Sequence, residues 1–322
     1  MPGPWIPLCS ASRRFRMNQP PRQTVSYLTR RFREVGLEPD HRLGQNFLID
    51  INLLELLARA AAIDEHDVVL EVGTGTGSLT GIMATKAAEV VTVELDGHLH
   101  QLARETLEGR RNITFLKADI LKNKNRLNPE VMQTIREKLA AAPGRRFKLA
   151  ANLPYNVATP IISNLLAGEP VPHSMTVTIQ KELAERIVAA PSTKDYGSLS
   201  VWIQSQCRPE IVRILNNKVF WPRPKVESAI IRIEFDPEKR ARIPDLPYFH
   251  TFVRSLFFHR RKFLRSVLIA AFKDRLTKSE ADEVMSRFSL GADARAEQLT
   301  IEQILPLCEA FRERTAEKEA SD

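Results

Sequence analysis

Asn152-Leu153-Pro154-Tyr155 closes the apolar run "RFKLAANL" with an amide, a rigid proline and an aromatic ring. Those groups suit one kind of chemistry. An exocyclic amine on a planar base is a poor nucleophile, because its lone pair is delocalised into the ring. The Asn152 side-chain oxygen and the Leu153 carbonyl can accept its N–H protons and favour the pyramidal, more nucleophilic form. Tyr155 can stack on the base, worth roughly 1–3 kcal/mol. Pro154 stiffens the turn, so the acceptors need not reorganise during reaction. No general base is required, since the amine becomes acidic once alkylated. A strand-ending turn with a packed tyrosine would explain the backbone, but not what precedes it in the chain.

What precedes it is "LEVGTGTGSLT", with Gly73, Gly75 and Gly77 between a strand and a helix. Glycines there allow tight φ/ψ values and let a ligand approach the backbone. A dinucleotide fingerprint would need glycine at position 78, which is Ser78. The spacing E-x-G-x-G-x-G from Glu71 is instead similar to the S-adenosylmethionine loop of class I methyltransferases, which binds a nucleoside without a pyrophosphate. Glu94 ends the second strand, where a carboxylate can accept both ribose hydroxyls. Asp119 ends the third and can accept from an adenine amino group, with Leu95 and Ile120 adjoining. Either acid alone could be a solvated strand end or a helix cap; both together, after this loop, point to a nucleoside cofactor.

Positioning these residues takes alternating strands and helices. "DVVLEVG", "EVVTVEL", "NITFLKAD", "RFKLAANL" and "MTVTIQKE" read as buried strands, with helical segments between them. That alternation implies parallel strands covered on both faces. "PEIVRIL" and "SAIIRIEF" read as an antiparallel pair. "NLLELLARAAA" is apolar at helical spacing, with Asp50 as its N-cap. Residues 122–147 read as a long basic connection containing a helix, by default a solvated insertion. Beyond Pro244 the pattern is helical only. The expected organisation is an extension over 1–40, a cofactor-binding domain over 41–240 and a helical domain over 241–322.

Composition narrows the partners. The net charge is +8, yet seven arginines and no acid lie in residues 1–33, and the rest carries 40 basic against 39 acidic side chains. Nucleic-acid binding therefore has to rest on local patches. The first residues, rich in Pro, Ser and Arg, read as a disordered, dispensable tail, with Met17 as an alternative start and an organellar transit segment as the minority reading. Three widely separated cysteines have no zinc spacing and fit a reducing compartment. No apolar stretch approaches the ~20 residues of a membrane span. We expect a cytoplasmic monomer with no metal.

Taken together, the motifs closely resemble those of the ribosomal RNA adenine N6,N6-dimethyltransferases, in the small-subunit (KsgA-type) branch. The resemblance covers about residues 41–270 through "LGQNFLID", "LEVGTGTGSLT", "VELD", "KADIL", "ANLPYN", "QKELAERIVAAPSTKDYGSLSVWIQ" and "VFWPRPKVESAIIRI". It implies an α/β class I S-adenosylmethionine-dependent methyltransferase fold: a Rossmann-like, mostly parallel seven-stranded sheet with a smaller all-helical C-terminal domain. It also implies S-adenosyl-L-methionine as donor, contacts to its methionine end from Gln45, Asn46 and Leu48, and two adjacent adenosines in a small-subunit rRNA hairpin loop as acceptors. Thr74, Asp40-His41 and the length of 122–147 depart from the family pattern without removing a group the chemistry needs.

In "FVRSLFFHRRKFLRSVL" the cations Arg254, Arg260, Arg261, Lys262 and Arg265 sit in a stretch with no acid between Asp245 and Asp274. At helical spacing they would line one face, either solvated or phosphate-binding, and the resemblance favours RNA. Lys218, Arg223 and Lys225 would extend the patch. Rival readings are a large-subunit rRNA adenine dimethylase of the macrolide-resistance type, a DNA adenine methylase, and a ribosome-assembly or transcription factor that keeps the fold without catalysis.

Overall fold

The computed structural model describes residues 25–34, 44–288, 290–291 and 293–319. Residues 1–24 and 35–43, with Met17 and Asp40-His41, lie outside the described residues. The sheet strands are β1 (Asp67–Val72), β2 (Glu89–Glu94), β3 (Ile113–Lys117), β4 (Arg146–Asn152), β5 (Ser174–Gln180), β6 (Cys207–Leu215) and β7 (Ser228–Phe235). Their order across the sheet is β3-β2-β1-β4-β5-β7-β6. β1 to β5 run parallel, and β7 pairs antiparallel with both β5 and β6.

Each buried run feeds two cores, because successive side chains face opposite sides. Val69, Val90, Ala150 and Ile230 point into one cluster. Val68, Leu70, Val91, Leu149 and Val177 point into the other. The first face is covered by α2 (Ile51–Ala60) and α3 (Ser78–Met83), through Leu53, Leu57, Leu79 and Met83. Asp50 caps α2, its carboxylate accepting from the Asn52 N–H at 2.9 Å.

Further helices are α1 (Val25–Glu34), α4 (Gly97–Thr106), α5 (Pro129–Ala140), α6 (Ala158–Ala167), α7 (Lys181–Val188) and α8 (Ser198–Gln204). The 122–147 segment is not a solvated insertion. Its helix α5 is the crossover from β3 to β4, and Val131, Met132 and Ile135 are buried in the main core. A mostly polar helix with three inward residues hides this role in sequence.

After β7 come α9 (Pro237–Ala241), α10 (Leu246–Phe258), α11 (Leu264–Ala271), α12 (Lys278–Ser286) and α13 (Ile301–Glu319). The apolar core runs from the sheet into these helices without interruption. Trp202 of α8 stacks on Phe249 of α10, and the buried Tyr196 hydroxyl donates to the Leu299 carbonyl at 2.9 Å. The basic stretch expected to be one helix is two: α10 stops at Phe258, and His259–Phe263 turn the chain into α11.

Candidate active site

β1 lies between β2 and β4, and the connections leaving β1 and β4 depart in opposite directions, so a crevice opens beyond their C-terminal ends. A cavity of about 250 Å³ occupies it. One wall is the glycine loop. Gly73, Gly75 and Gly77 all have left-handed φ, at 82°, 56° and 84°. A side chain on Gly75 would also meet the Phe47 ring at 3.3 Å, and one on Gly77 the Leu107 side chain at 2.9 Å. Only glycine satisfies both the dihedral and the space. Gly73 and Gly75 line the cavity; Gly77 instead caps α3 and packs on α4.

The loop is held from beneath. The Glu71 carboxyl, 1% exposed, accepts hydroxyl hydrogen bonds from Thr80 at 2.5 Å and Thr92 at 2.6 Å. With its own proton on Glu71, the Thr92 oxygen takes the Thr74 hydroxyl, also at 2.6 Å. Burial pushes the Glu71 pKa up to about 8, with the two threonines opposing and the neighbouring Glu94 charge adding to the rise. Glu94, at the end of β2, accepts the Gly75 N–H on one oxygen at 2.9 Å and the Asp96 N–H on the other at 3.0 Å. Burial raises its pKa against those two donors. Each oxygen keeps a further lone pair for a ligand hydroxyl. Leu95, half-exposed on the cavity rim, and buried Ile120 give two apolar surfaces beside it. Asp119 is exposed on the same rim and accepts the Leu121 N–H at 2.8 Å.

Asn152 closes the far side. Its Nδ2 donates to the Asn46 carbonyl at 2.8 Å, which leaves Oδ1 facing the other way. That oxygen is buried and has no hydrogen-bond partner. A buried, unpaired acceptor costs about 1–3 kcal/mol, so it is a feature that asks for a donor. Leu153 and Pro154 continue the lining, with Asn156 and Val157 after them. Tyr155 does not line this cavity. Its half-buried ring is fixed by the hydroxyl, 2.5 Å from Ser228 Oγ at the start of β7, and burial raises its pKa.

The "LGQNFLID" segment contributes Gly44, Gln45, Asn46 and Phe47. The Leu48 side chain does not line the cavity. It is 4% exposed and packs into the core under α2, because Phe47 and Leu48 alternate across a short extended stretch paired with Phe220–Trp221. Phe47 and Leu99, both cavity-lining, are not among the expected site residues; alternation puts only one of Phe47 and Leu48 on the cavity side and does not say which.

The basic residues divide. Arg260 donates to the Lys194 and Tyr196 carbonyls at 2.7 and 3.2 Å and lies 3.7 Å from Glu297. Arg265 makes a two-bond pair with Asp282, at 2.6 and 2.7 Å. These two already have partners within the protein, with side chains 41% and 51% exposed. Arg254, Arg261 and Lys262 are exposed around the α10–α11 turn. Lys218, Arg223 and Lys225 are exposed on the β6–β7 connection, where Arg223 also donates to Asn217 at 3.0 Å. Among the described residues there is no His/Cys/Asp/Glu group that could hold a metal, and no helix long and apolar enough to cross a membrane.

The sequence model of the family described as ribosomal RNA adenine dimethylase matches residues 38–313. The ribosomal RNA small subunit methyltransferase A of Caldanaerobacter subterraneus subsp. tengcongensis is 38% identical over 269 residues, 83% of this chain and 95% of that one. Its namesake from Lachnoclostridium phytofermentans is 35% identical over 295 residues, 91% of this chain and 97% of that one. Among solved structures, a dimethyladenosine transferase from Plasmodium falciparum shares the fold with a TM-score of 0.68 at 23% identity, over 82% of this chain and 97% of that one. The 23S rRNA methyltransferase ErmE gives 0.58 at 25% identity, over 83% and 99%.

Proposed function

The chain belongs to the ribosomal RNA adenine dimethylase family, and on that premise we propose that it dimethylates N6 of two adjacent adenosines in a hairpin loop of small-subunit rRNA. S-adenosyl-L-methionine supplies the electrophilic methyl group. Glu94, Leu95, Asp119 and Ile120 would hold its nucleoside, and Gln45, Asn46 and the backbone of Gly73 and Gly75 its methionine end. The residues present fit that group: a carboxylate with lone pairs to spare, apolar flanks, and a loop whose glycines leave the backbone open.

The observation that carries the reading is the partnerless Oδ1 of Asn152. It and the Leu153 carbonyl accept the two N–H protons of the target amine, holding the nitrogen lone pair toward the methyl donor. Pro154 fixes both acceptors in place. Tyr155, with its hydroxyl tied to Ser228, presents a rigid ring to a base that has left its stack. Positioning supplies most of the rate in such a transfer. Catalysis in the cytoplasm by a monomer, on a small-subunit assembly intermediate, belongs to the same proposal.

The test is transfer of radiolabelled methyl groups to under-methylated small subunits, with large subunits alongside and Asn152→Ala as control. We expect label in dimethyladenosine on small subunits only. Asn152→Ala should lower the rate about a hundredfold, the scale for removing one preorganised polar group. Because Asn152 is also expected among the cofactor-binding residues and its Nδ2 holds Asn46, the rate is compared at saturating S-adenosyl-L-methionine. Label on large subunits would favour the resistance-type reading. A mutant as fast as the parent would remove Asn152 from the mechanism.

A further inference from the structure

Between α10 and α11 lies a second cavity, about 570 Å³, remote in sequence from every segment of the first. That volume falls within the roughly 300–1,000 Å³ of small-ligand pockets. Val267, Ala270 and Ala271 line it with apolar surface, and Arg254, His259 and Lys262 border it. No carboxylate contributes to its lining. Phe258 stands on its edge with 80% of its surface exposed, the largest exposure among the big apolar side chains described. The Phe258 ring has the His259 ring set against it at 74°, with centroids 4.7 Å apart, yet it stays held out in water beside Arg254 and Lys262, while α10 already buries Phe252, Val253 and Leu256 on its inner face.

We propose that this cavity binds one unstacked nucleotide of the RNA, away from the methyl-transfer centre. The base lies against Phe258 over the apolar lining, and the flanking phosphates meet Arg254 and Lys262. A ring with a free face recognises any base by stacking, while the cations recognise the backbone. The cations would meet a duplex backbone as well, but the exposed ring has nothing to stack on in a duplex, whose bases are already stacked, so the ligand is single-stranded or extruded. The cavity would hold the substrate RNA by a second point and orient the target loop. This inference rests on RNA being the substrate, as proposed above.

The experiment uses the full chain and a fluorescein-labelled single-stranded RNA octamer, with a blunt duplex of equal length as comparison. Phe258→Ala should weaken octamer binding by about 5- to 150-fold, the range for one lost base–aromatic stack, with an unchanged salt slope. Phe258→Trp should restore it. Lys262→Ala should lower the slope of log K against log salt by about 0.7, one single-strand phosphate contact. Duplex affinity should respond to Lys262→Ala and not to Phe258→Ala. Calorimetry with S-adenosylhomocysteine reports whether each variant is folded. Octamer binding by Phe258→Ala equal to the parent's overturns the proposal, as does an equal loss for octamer and duplex. Displacement of the octamer by a glutamate octapeptide at equal concentration would reassign the cavity to an acidic protein partner. Failure of methyl transfer to small subunits would sink the earlier reading and leave this binding measurement standing.

Discussion

A buried acid on one side of the cofactor loop and an unpaired amide oxygen on the other put opposite demands on solvent. Asn152 Oδ1 has shed water without a protein partner, and the place of Asn152 on the cavity wall lets an incoming donor supply one. Glu71 has shed water with two hydroxyl donors, and its pKa still rises to about 8. The sign for stability follows from linkage. The folded protein keeps the Glu71 proton over the interval from the ordinary carboxylate value to about 8, where the unfolded chain has lost it. The folded state therefore binds more protons, and stability falls as pH rises through that interval. Thermal unfolding of Glu71→Gln, which keeps one acceptor and cannot ionise, should show a Tm less dependent on pH between about 5 and 8. Parallel Tm curves for mutant and parent would mean that Glu71 stays ionised in the fold. Glu94 titrates in the same sense, and its ionised form is the one suited to ribose hydroxyls. Affinity for S-adenosylhomocysteine should therefore weaken as pH drops through its raised pKa.

At the scale of elements, α1 is the unexpected one. Residues 1–40 read as an Arg-rich extension in which no packed helix is expected, yet Leu28 and Phe32 are 0% and 2% exposed and pack with Leu99 and Leu102 of α4. Phe32 meets Phe47 edge-on at 5.1 Å and Trp221 at 5.5 Å. Phe47 and Leu99 line the cofactor cavity, so α1 forms the layer behind that wall. Phe32→Ala should weaken S-adenosylhomocysteine binding about fivefold, equivalent to ~1 kcal/mol, and change Trp221 fluorescence. An unchanged affinity would make α1 a covering and nothing more. Sequence patterns disclosed the strands because buried parallel strands are continuous apolar runs bounded by glycine or polar residues. The glycine loop and Asn152 were equally legible, since residue type and order carry their chemistry. Packing partners were not. Neither α1 against Phe47, α5 against the sheet, nor the outward Phe47 and inward Leu48 follows from one segment read alone. The break after Phe258 carries no glycine or proline, so helical spacing ran straight through it.

Across the whole molecule, charge is nearly balanced outside the first thirty-three residues, so an anionic substrate must be met by particular side chains. Counting arginines in the 254–265 stretch overstates that meeting surface, because some of those charges tie the chain to itself. Arg260 reaches from the α10–α11 turn to the carbonyls of Lys194 and Tyr196, beside the Tyr196–Leu299 hydrogen bond that links the segment before α8 to the one before α13. Arg261, one residue on, is exposed. The two neighbours should therefore separate cleanly. Arg260→Ala should cost about 1–2 kcal/mol of stability, the scale for charged hydrogen bonds to backbone, and leave the salt slope of RNA binding as it was. Arg261→Ala should leave Tm unchanged and reduce that slope by about 0.7–0.9, one phosphate contact. Denaturant titration and binding at several salt concentrations measure both. Equal slope reductions in the two variants would mean that Arg260 lets go of its carbonyls when RNA arrives. The turn would then act as a switch between an internal and an external partner.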